Sequence, residues 1–124
     1  MPERLRILVV DDERDTLDLI DLTLSSAGYE IHLANNGAES LEKIRQDRFD
    51  VILLDIMMPD MTGFDVLRTL NQERNELPPV IFLTAKSLPE DREMGLQLGA
   101  KDFLIKPVTR GLLLDSIKRN TSST

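Results

Sequence analysis

The 124-residue chain contains no cysteine, and no apolar stretch approaches the roughly 20 residues that a membrane-spanning helix requires. Nothing near residue 1 predicts a signal peptide, because Arg4 and Arg6 flank only a short apolar run at residues 7–10. Basic residues are in the minority: 15 Lys and Arg against 22 Asp and Glu give a formal net charge of −7 at pH 7. That charge argues against non-specific binding to nucleic acid and against membrane attachment through a basic surface. We therefore expect a cytoplasmic protein, and the missing cysteines add little to this because many exported proteins also lack them.

Short aliphatic runs alternate with segments of helical periodicity. The runs predict strands at residues 5–10, 30–34, 51–54, 80–83 and 102–105. Leu17, Ile20 and Leu24 mark one face of a first helix, which Gly28 is expected to end. The segment 89–98 predicts the poorest helix, because it carries Gly95 inside. This alternation is typical of one α/β domain with a parallel sheet covered on both faces.

Four of the five predicted strands end in polar residues. They are Asp11 and Asp12 after the first, Asp55 after the third, Thr84 after the fourth and Lys106 after the fifth. Because the carboxyl ends of parallel strands lie along one edge of a sheet, we expect these side chains to meet. Three carboxylates a few Å apart repel by roughly 4 kcal/mol per pair at an effective dielectric near 20, which favours a bound cation such as Mg²⁺. Together with the ammonium and the hydroxyl, such a site is suited to a phosphoryl group, with Asp55 as the nucleophile.

Each of these residues also has a purely structural interpretation. Asp11 and Asp12 could cap the helix that follows them, and Asp55 could equally be a cap. Thr84 could be a strand-end hydroxyl bonded to backbone, and Lys106 a solvated charge. The conjunction at four strand ends favours the site over these separate interpretations.

The same residues stand in longer motifs. These are Val10-Asp11-Asp12-Glu13, the segment LDIMMPDMTG at residues 54–63, Thr84-Ala85-Lys86 and the segment GAKDFLIKP at residues 99–107. In this order the motifs resemble the receiver domain of two-component response regulators, and the resemblance covers residues 6–118. It departs at Thr62, where many relatives carry Asp, although threonine also serves as a helix N-cap.

The resemblance implies a flavodoxin-like (βα)₅ fold with a doubly wound, five-stranded parallel sheet in the order 2-1-3-4-5. It implies that a histidine kinase or a histidine phosphotransfer protein phosphorylates Asp55, with Thr84 and Lys106 contacting the phosphoryl group. The implied ligands of Mg²⁺ are Asp12, Asp55 and the backbone carbonyl of Met57, with Asp11 acting through water. A cis peptide bond is implied between Lys106 and Pro107.

The resemblance also implies how a signal would pass through the domain. The phosphodonor would dock on the first helix, entered through Arg14 and Asp15. Thr84 would move toward the phosphate and Phe103 would fill the vacated space, which alters the face formed by the fourth helix, fifth strand and fifth helix. A downstream effector protein or domain would read that face, and a homodimer on phosphorylation is compatible with it. Met57 and Lys86 flank the approach of water to the phosphoryl group, and neither can orient that water, so we expect slow self-dephosphorylation.

Three other functions fit part of the pattern. Haloacid dehalogenase-like phosphatases need a second Asp two residues after the nucleophile, where this chain has Met57. A phosphorylation-independent interaction module of the same fold would usually lose a key residue, and none is lost. A flavin site needs a Ser/Thr-rich loop after the first strand, where Asp11-Asp12-Glu13 has the opposite charge. We expect a protein that catalyses only its own aspartyl phosphorylation and dephosphorylation.

The C-terminal end is polar and sets the predicted domain boundary. We expect a receiver domain at residues 1–119 and a polar tail, or the start of a linker, at residues 120–124. Since no effector sequence follows residue 119, the chain is expected to be either a single-domain regulator or the receiver of a longer protein.

Overall fold

Strands and helices alternate along the chain, as the periodicity predicts. The computed structural model describes residues 4–85 and 88–121. The strands are β1 (Arg6–Val10), β2 (Glu30–Ala34), β3 (Val51–Leu54), β4 (Val80–Thr84) and β5 (Asp102–Ile105). The helices are α1 (Arg14–Ser26), α2 (Gly37–Gln46), α3 (Gly63–Glu73), α4 (Pro89–Gln97) and α5 (Arg110–Thr121). The strand predictions are confirmed to within one residue at each end.

The five strands form one parallel sheet in the order β2-β1-β3-β4-β5. This confirms the predicted doubly wound, flavodoxin-like (βα)₅ architecture. Leu8 and Val10 of β1 pack in a core with side chains of α2 and α3, whereas Ile7 and Val9 pack in a second core with side chains of α1 and α5. All four residues of β3 are buried between these two cores, which explains why that strand is apolar on both faces.

Gly28 ends α1, as predicted. Its φ is +97°, a left-handed conformation that glycine adopts readily because it has no Cβ. The N–H groups of Gly28 and Tyr29 donate to the carbonyls of Ser25 and Leu24 at 3.0 and 3.2 Å. These two bonds form a Schellman cap, which satisfies carbonyls that the helix end would leave unpaired.

Packing against two aromatic rings explains the glycine inside α4. Gly95 is the buried residue of this helix, and a Cβ added there would lie 3.0 Å from Cδ2 of Phe82 and 3.5 Å from Cδ2 of Phe103. The helix axis can therefore approach the rings closely at the cost of about 1 kcal/mol in helix propensity relative to alanine.

The last helix extends beyond the boundary expected from the sequence. α5 continues to Thr121, so Asn120 and Thr121 are helical, and the rest of the expected tail lies outside the described residues. Across residues 4–85 and 88–121, every helix is too short or too polar to cross a bilayer.

Candidate functional site

The ends of β1 and β3 lie side by side at the centre of the sheet. Val10 is paired with Leu54 in the parallel register, and the N–H of Asp55 donates to the carbonyl of Val10 at 2.9 Å. The N–H of Asp11 donates to the carbonyl of Ala34 on the other side at 3.1 Å. Asp11 and Asp55 therefore leave neighbouring strands at the same level of the sheet.

Three aspartates form one acidic cluster at this edge. A carboxylate oxygen from each of Asp11, Asp12 and Asp55 lies within 4.8 Å of the others. Asp11 and Asp55 are buried, with 1% and 5% of their surface exposed, whereas Asp12 is exposed. A donor set made only of carboxylate oxygens fits a hard cation such as Mg²⁺.

Lys106 reaches into the same cluster from the end of β5. Its Nζ lies 2.5 Å from Oδ2 of Asp11, 3.6 Å from Oδ2 of Asp55 and 3.9 Å from Oε1 of Glu13. Its backbone N–H donates to the carbonyl of Thr84 at 2.8 Å, and the peptide bond to Pro107 is cis. The contacts of Nζ with Asp11 and Asp55 hold the lysine side chain inward, and its charge offsets part of the negative charge of the cluster.

The environment of this cluster raises the pKa values of two groups, Asp55 and Lys106. Burial, assisted by the charge of Asp11, raises the pKa of Asp55 to about 6; Lys106 and the N–H groups of Ile56 and Met57 oppose the rise. Burial alone would lower the pKa of Lys106, but the hydrogen bond to Asp11 and the charges of Asp55 and Asp11 outweigh it and raise that pKa. The ionised form of Asp55 is therefore more costly in the folded protein than that of a solvated aspartate.

Thr84 and Phe103 occupy adjacent strands behind the acidic cluster. Thr84, the last residue of β4, is 1% exposed and pairs with Ile105 of β5. Phe103 is 4% exposed, and its ring centroid lies 6.1 Å from that of Phe82. Both side chains are thus buried on neighbouring strands, and their role as a switch stays a prediction.

The loop between β3 and α3 is closely packed around the phosphoacceptor candidate. Thr62 and Asp65 form a capping box with two hydrogen bonds of 3.1 Å, which confirms that threonine serves as the N-cap here. The N–H of Gly63 donates to the carbonyl of Ile56 at 2.8 Å. A Cβ on Gly63 would collide with the carbonyl oxygen of Asp55, so glycine is required for α3 to start this close to the site.

Comparison with known proteins assigns this arrangement to a family. Residues 7–118 match the family model described as the response regulator receiver domain. The chain is a response regulator receiver domain. Such domains belong to two-component systems and are signalling domains that bind Mg²⁺ at an acidic pocket.

The relatives of this receiver domain include longer regulators. It is 41% identical over 114 residues to the response regulator MprA of Mycobacterium leprae, a match that covers 92% of this chain and 50% of that protein. It is 41% identical over 117 residues to the transcriptional regulatory protein DltR of Streptococcus agalactiae, with 94% and 52% covered. The chain therefore spans about half the length of these curated relatives.

Solved structures agree with this assignment over nearly the whole chain. The chemotaxis protein CheY4 of Vibrio cholerae superimposes with a TM-score of 0.89 at 35% identity, covering 95% of this chain and 99% of that one. The BeF3-activated DrrB receiver domain superimposes with a TM-score of 0.83 at 31% identity, covering 94% and 97%.

The cleft of the receiver domain contains one acidic residue that sequence reasoning did not single out. The cleft has a volume of about 330 Å³ and is lined by Asp12, Glu13, Asp55, Met57, Thr84, Ala85 and Lys106. Glu13 directly follows the aspartate pair, and that adjacency could have indicated it. Met57 lies at the rim with half of its surface exposed. Lys86, which the sequence places beside the phosphoryl group, lies outside the described residues.

Proposed function

We propose that this receiver domain is a phosphorylation-activated switch that accepts a phosphoryl group on Asp55 from a histidine kinase or a histidine phosphotransfer protein. The observation that carries the proposal is the setting of Asp55: a buried carboxylate at the end of β3, 3.6 Å from the ammonium of Lys106 and inside a three-aspartate cluster. Response regulators work with histidine kinases and downstream effectors. Asp55 is the proposed acceptor because, of the three carboxylates that line the cleft, it is the buried one.

In the proposed transfer, a carboxylate oxygen of Asp55 attacks the phosphorus of a phosphohistidine. A P–O bond forms, the P–N bond breaks, and the imidazole nitrogen keeps the electron pair and takes up a proton. Lys106 neutralises charge on the phosphoryl oxygens. Thr84 also lines the cleft, and its hydroxyl contacts these oxygens. Because water can attack the same phosphorus, we propose that the domain catalyses only its own aspartyl phosphorylation and dephosphorylation.

Mg²⁺ is the cofactor that the donor set fits. Asp12, Asp55 and the backbone carbonyl of Met57 would hold the ion, with Asp11 acting through water. When bound, the ion would neutralise charge on the phosphoryl oxygens. Asp11 is already oriented from two sides, since Oδ1 accepts from the N–H of Glu13 at 2.9 Å and Oδ2 accepts from Lys106. Such support is typical of residues that orient the immediate ligands of a metal.

An apolar groove beside the site supports docking of the phosphodonor on α1. The groove has a volume of about 500 Å³ and runs between α1 and the segment joining β5 to α5. Leu19 and Ile20 line one wall, and Pro107 and Val108 line the other, next to Lys106. A donor helix in this groove would present its phosphohistidine at the cleft, because Lys106 borders both.

The output is proposed to leave through the face formed by α4, β5 and α5. Thr84 would move toward the phosphoryl group and Phe103 would follow it, altering the packing under Gly95 of α4. The helices and the strand of this face carry exposed large apolar side chains, among them Leu96, Ile105 and Leu112. Exposed apolar side chains on these elements are compatible with a protein partner, either a downstream effector or a second copy of this domain on phosphorylation. Neither nucleic acid nor a membrane is a proposed partner of the domain, and we propose that it works in the cytoplasm.

Phosphorylation by a small-molecule donor tests the proposal directly. Incubation with acetyl phosphate and Mg²⁺ should add one phosphoryl group by intact mass, and Asp55→Asn should prevent it. Asp65→Asn, which removes a carboxylate of the neighbouring capping box, is the matched control and should still be modified. Uptake by Asp55→Asn at the wild-type rate would contradict the assignment. Sustained turnover of a generic phosphate ester would instead support a phosphatase.

A further inference from the structure

Asp60 joins two segments of the chain that are far apart in sequence. It lies in the β3–α3 loop, defined here as residues 56–62, and its two carboxylate oxygens accept from the N–H groups of Gly37 and Ala38 at 3.0 and 2.9 Å. These are the first two residues of α2. Asp60 therefore pairs N–H groups that the start of a helix cannot pair internally.

A second contact fixes the same two segments. A Cβ added to Gly37 would collide with Cγ of Met61, so the side chain of Met61 lies directly against the start of α2. One polar and one apolar contact from consecutive loop residues thus hold the loop on α2. The hydrogen bonds from Gly37 and Ala38 also hold the pKa of Asp60 below its usual range, which means that the carboxylate is ionised at neutral pH.

The other end of this loop contacts the phosphoacceptor candidate. The N–H groups of Ile56 and Met57 interact with the carboxylate of Asp55 and oppose the rise that burial causes in its pKa, and Met57 supplies the proposed metal-binding carbonyl. The loop is closed on the α3 side by the bond from Gly63 to the carbonyl of Ile56. The bonds from Asp60 to α2 are its anchor on the opposite side.

We propose that Asp60 is a positioning residue for the phosphoacceptor site: by anchoring the β3–α3 loop on α2, it sets where the backbone of Ile56 and Met57 lies relative to Asp55. The metal part of this inference rests on the proposed function. Asp60 itself contacts neither the metal nor the phosphoryl group, and it acts through the loop backbone.

A purely structural role for Asp60 would be to stabilise α2, and the chain offers a matched control for it. Asn36 caps the same helix start from within its own segment, where Oδ1 accepts from the N–H of Glu39 at 2.7 Å. Asn36→Ala removes a cap from α2 without removing a bond to the loop. Asp60→Ala removes both of the bonds that tie the loop to the helix. Asp60→Asn keeps the shape but has a single acceptor oxygen, so it should retain one of the two.

The experiment measures the loop and the metal separately in the full chain. In metal-free protein, the amide resonances of Ile56 and Met57 should shift and their hydrogen exchange should accelerate in Asp60→Ala, less so in Asp60→Asn, and remain unchanged in Asn36→Ala. In a Mg²⁺ titration, the dissociation constant should rise about tenfold in Asp60→Ala, in the range seen when residues that orient metal ligands are removed. The dissociation constant of Asp60→Asn should lie between those of Asp60→Ala and wild type. That of Asn36→Ala should equal the wild-type value, even though the melting temperature of this variant falls.

The outcomes separate this inference from the proposed function. Unchanged Ile56 and Met57 amides in Asp60→Ala, or equal changes in Asn36→Ala, would overturn the positioning role whatever the metal does. Absence of Mg²⁺ binding by wild type would overturn the proposed metal site, while the metal-free amide measurements would still decide the role of Asp60. If Asp60→Ala does not fold, the comparison of Asp60→Asn with Asn36→Ala decides the role of Asp60. The amides of Ile56 and Met57 should then change in Asp60→Asn and not in Asn36→Ala.

Discussion

Replacing Asp55 with asparagine should make the metal-free domain more stable at neutral pH. Asp55 is 5% exposed and lies in the same acidic cluster as Asp11 and Asp12. Its ionised form is therefore more costly in the folded state than in the unfolded chain, where water surrounds it. Asparagine removes this charge but keeps an acceptor oxygen for the N–H groups of Ile56 and Met57. Lys106 does not become an unpaired buried charge, because it remains bonded to Asp11 at 2.5 Å.

The pKa of Asp55 gives the size and the sign of the effect. Burial and the charge of Asp11 raise that pKa from 3.8 to about 6, which corresponds to roughly 3 kcal/mol of unfolding free energy lost when the group is ionised in both states. A carboxylate with a raised pKa destabilises the fold above the folded-state pKa, and the destabilisation disappears below the unfolded-state value. The gain from Asp55→Asn should thus be about 2 to 3 kcal/mol at pH 7.5 and fall to about a third of that at pH 4.5.

Urea unfolding in EDTA at the two pH values is the assay. Far-ultraviolet circular dichroism is the appropriate signal, since the chain has no tryptophan and one tyrosine. Asp65→Asn is the opposite control: the hydrogen bond that Oδ2 of Asp65 accepts from the N–H of Thr62 lowers the pKa of Asp65, so this substitution should destabilise the domain at pH 7.5. The reasoning would be refuted if Asp55→Asn were no more stable than wild type at pH 7.5, or if its gain were the same at both pH values.

Three further predictions concern the site. Added Mg²⁺ should raise the melting temperature of wild type, because it relieves carboxylate repulsion in the native state alone. The rise should vanish in Asp12→Ala, and no rise in wild type would contradict the metal site. Lys106→Ala should still bind Mg²⁺, but the amide shifts that a phosphoryl mimic causes around α4 should shrink, and equal shifts in both proteins would remove Lys106 from the mechanism. Met57→Asn should shorten the lifetime of the phosphorylated domain several-fold, because an amide can orient a water and a thioether cannot; unchanged decay of the phosphorylated mass would contradict this.

Much of the fold could be predicted because polar residues mark the ends of the apolar strands. The run Val51–Leu54 is buried on both faces and stops at a carboxylate, and the parallel sheet then brings every such stop to one edge. Gly28 could be predicted as a helix end because only a residue without Cβ adopts its φ at no cost. α4 could be predicted as weak from Gly95, but the reason for that glycine, its contact with Phe82, depends on packing that the sequence pattern does not specify.

The contacts that could not be predicted join segments distant in sequence through single polar atoms. The bonds from Gly37 and Ala38 to Asp60 span more than twenty residues, and periodicity carries no information about them. The ion-pair partner of Lys106 could not be predicted from the sequence either. The sequence places three carboxylates near this lysine, but the choice of Asp11 over Asp55 depends on where the β5 backbone ends relative to β1, a matter of a single Å.

That choice would connect the chemistry of the cleft to the proposed output face of the domain. Lys106 lies closer to Asp11 than to Asp55, so a phosphoryl group on Asp55 would have to compete with Asp11 for the same ammonium. Lys106 is tied to β4 through the carbonyl of Thr84 at 2.8 Å, and it immediately follows the short strand that carries Phe103. A shift of the lysine toward Asp55 would therefore pull on the edge where β4 and β5 meet. The ring of Phe103 lies under Gly95, where no side chain separates it from the backbone of α4. Because α4 starts without a side-chain cap and carries Gly95 in its interior, we expect this helix to respond to such a change.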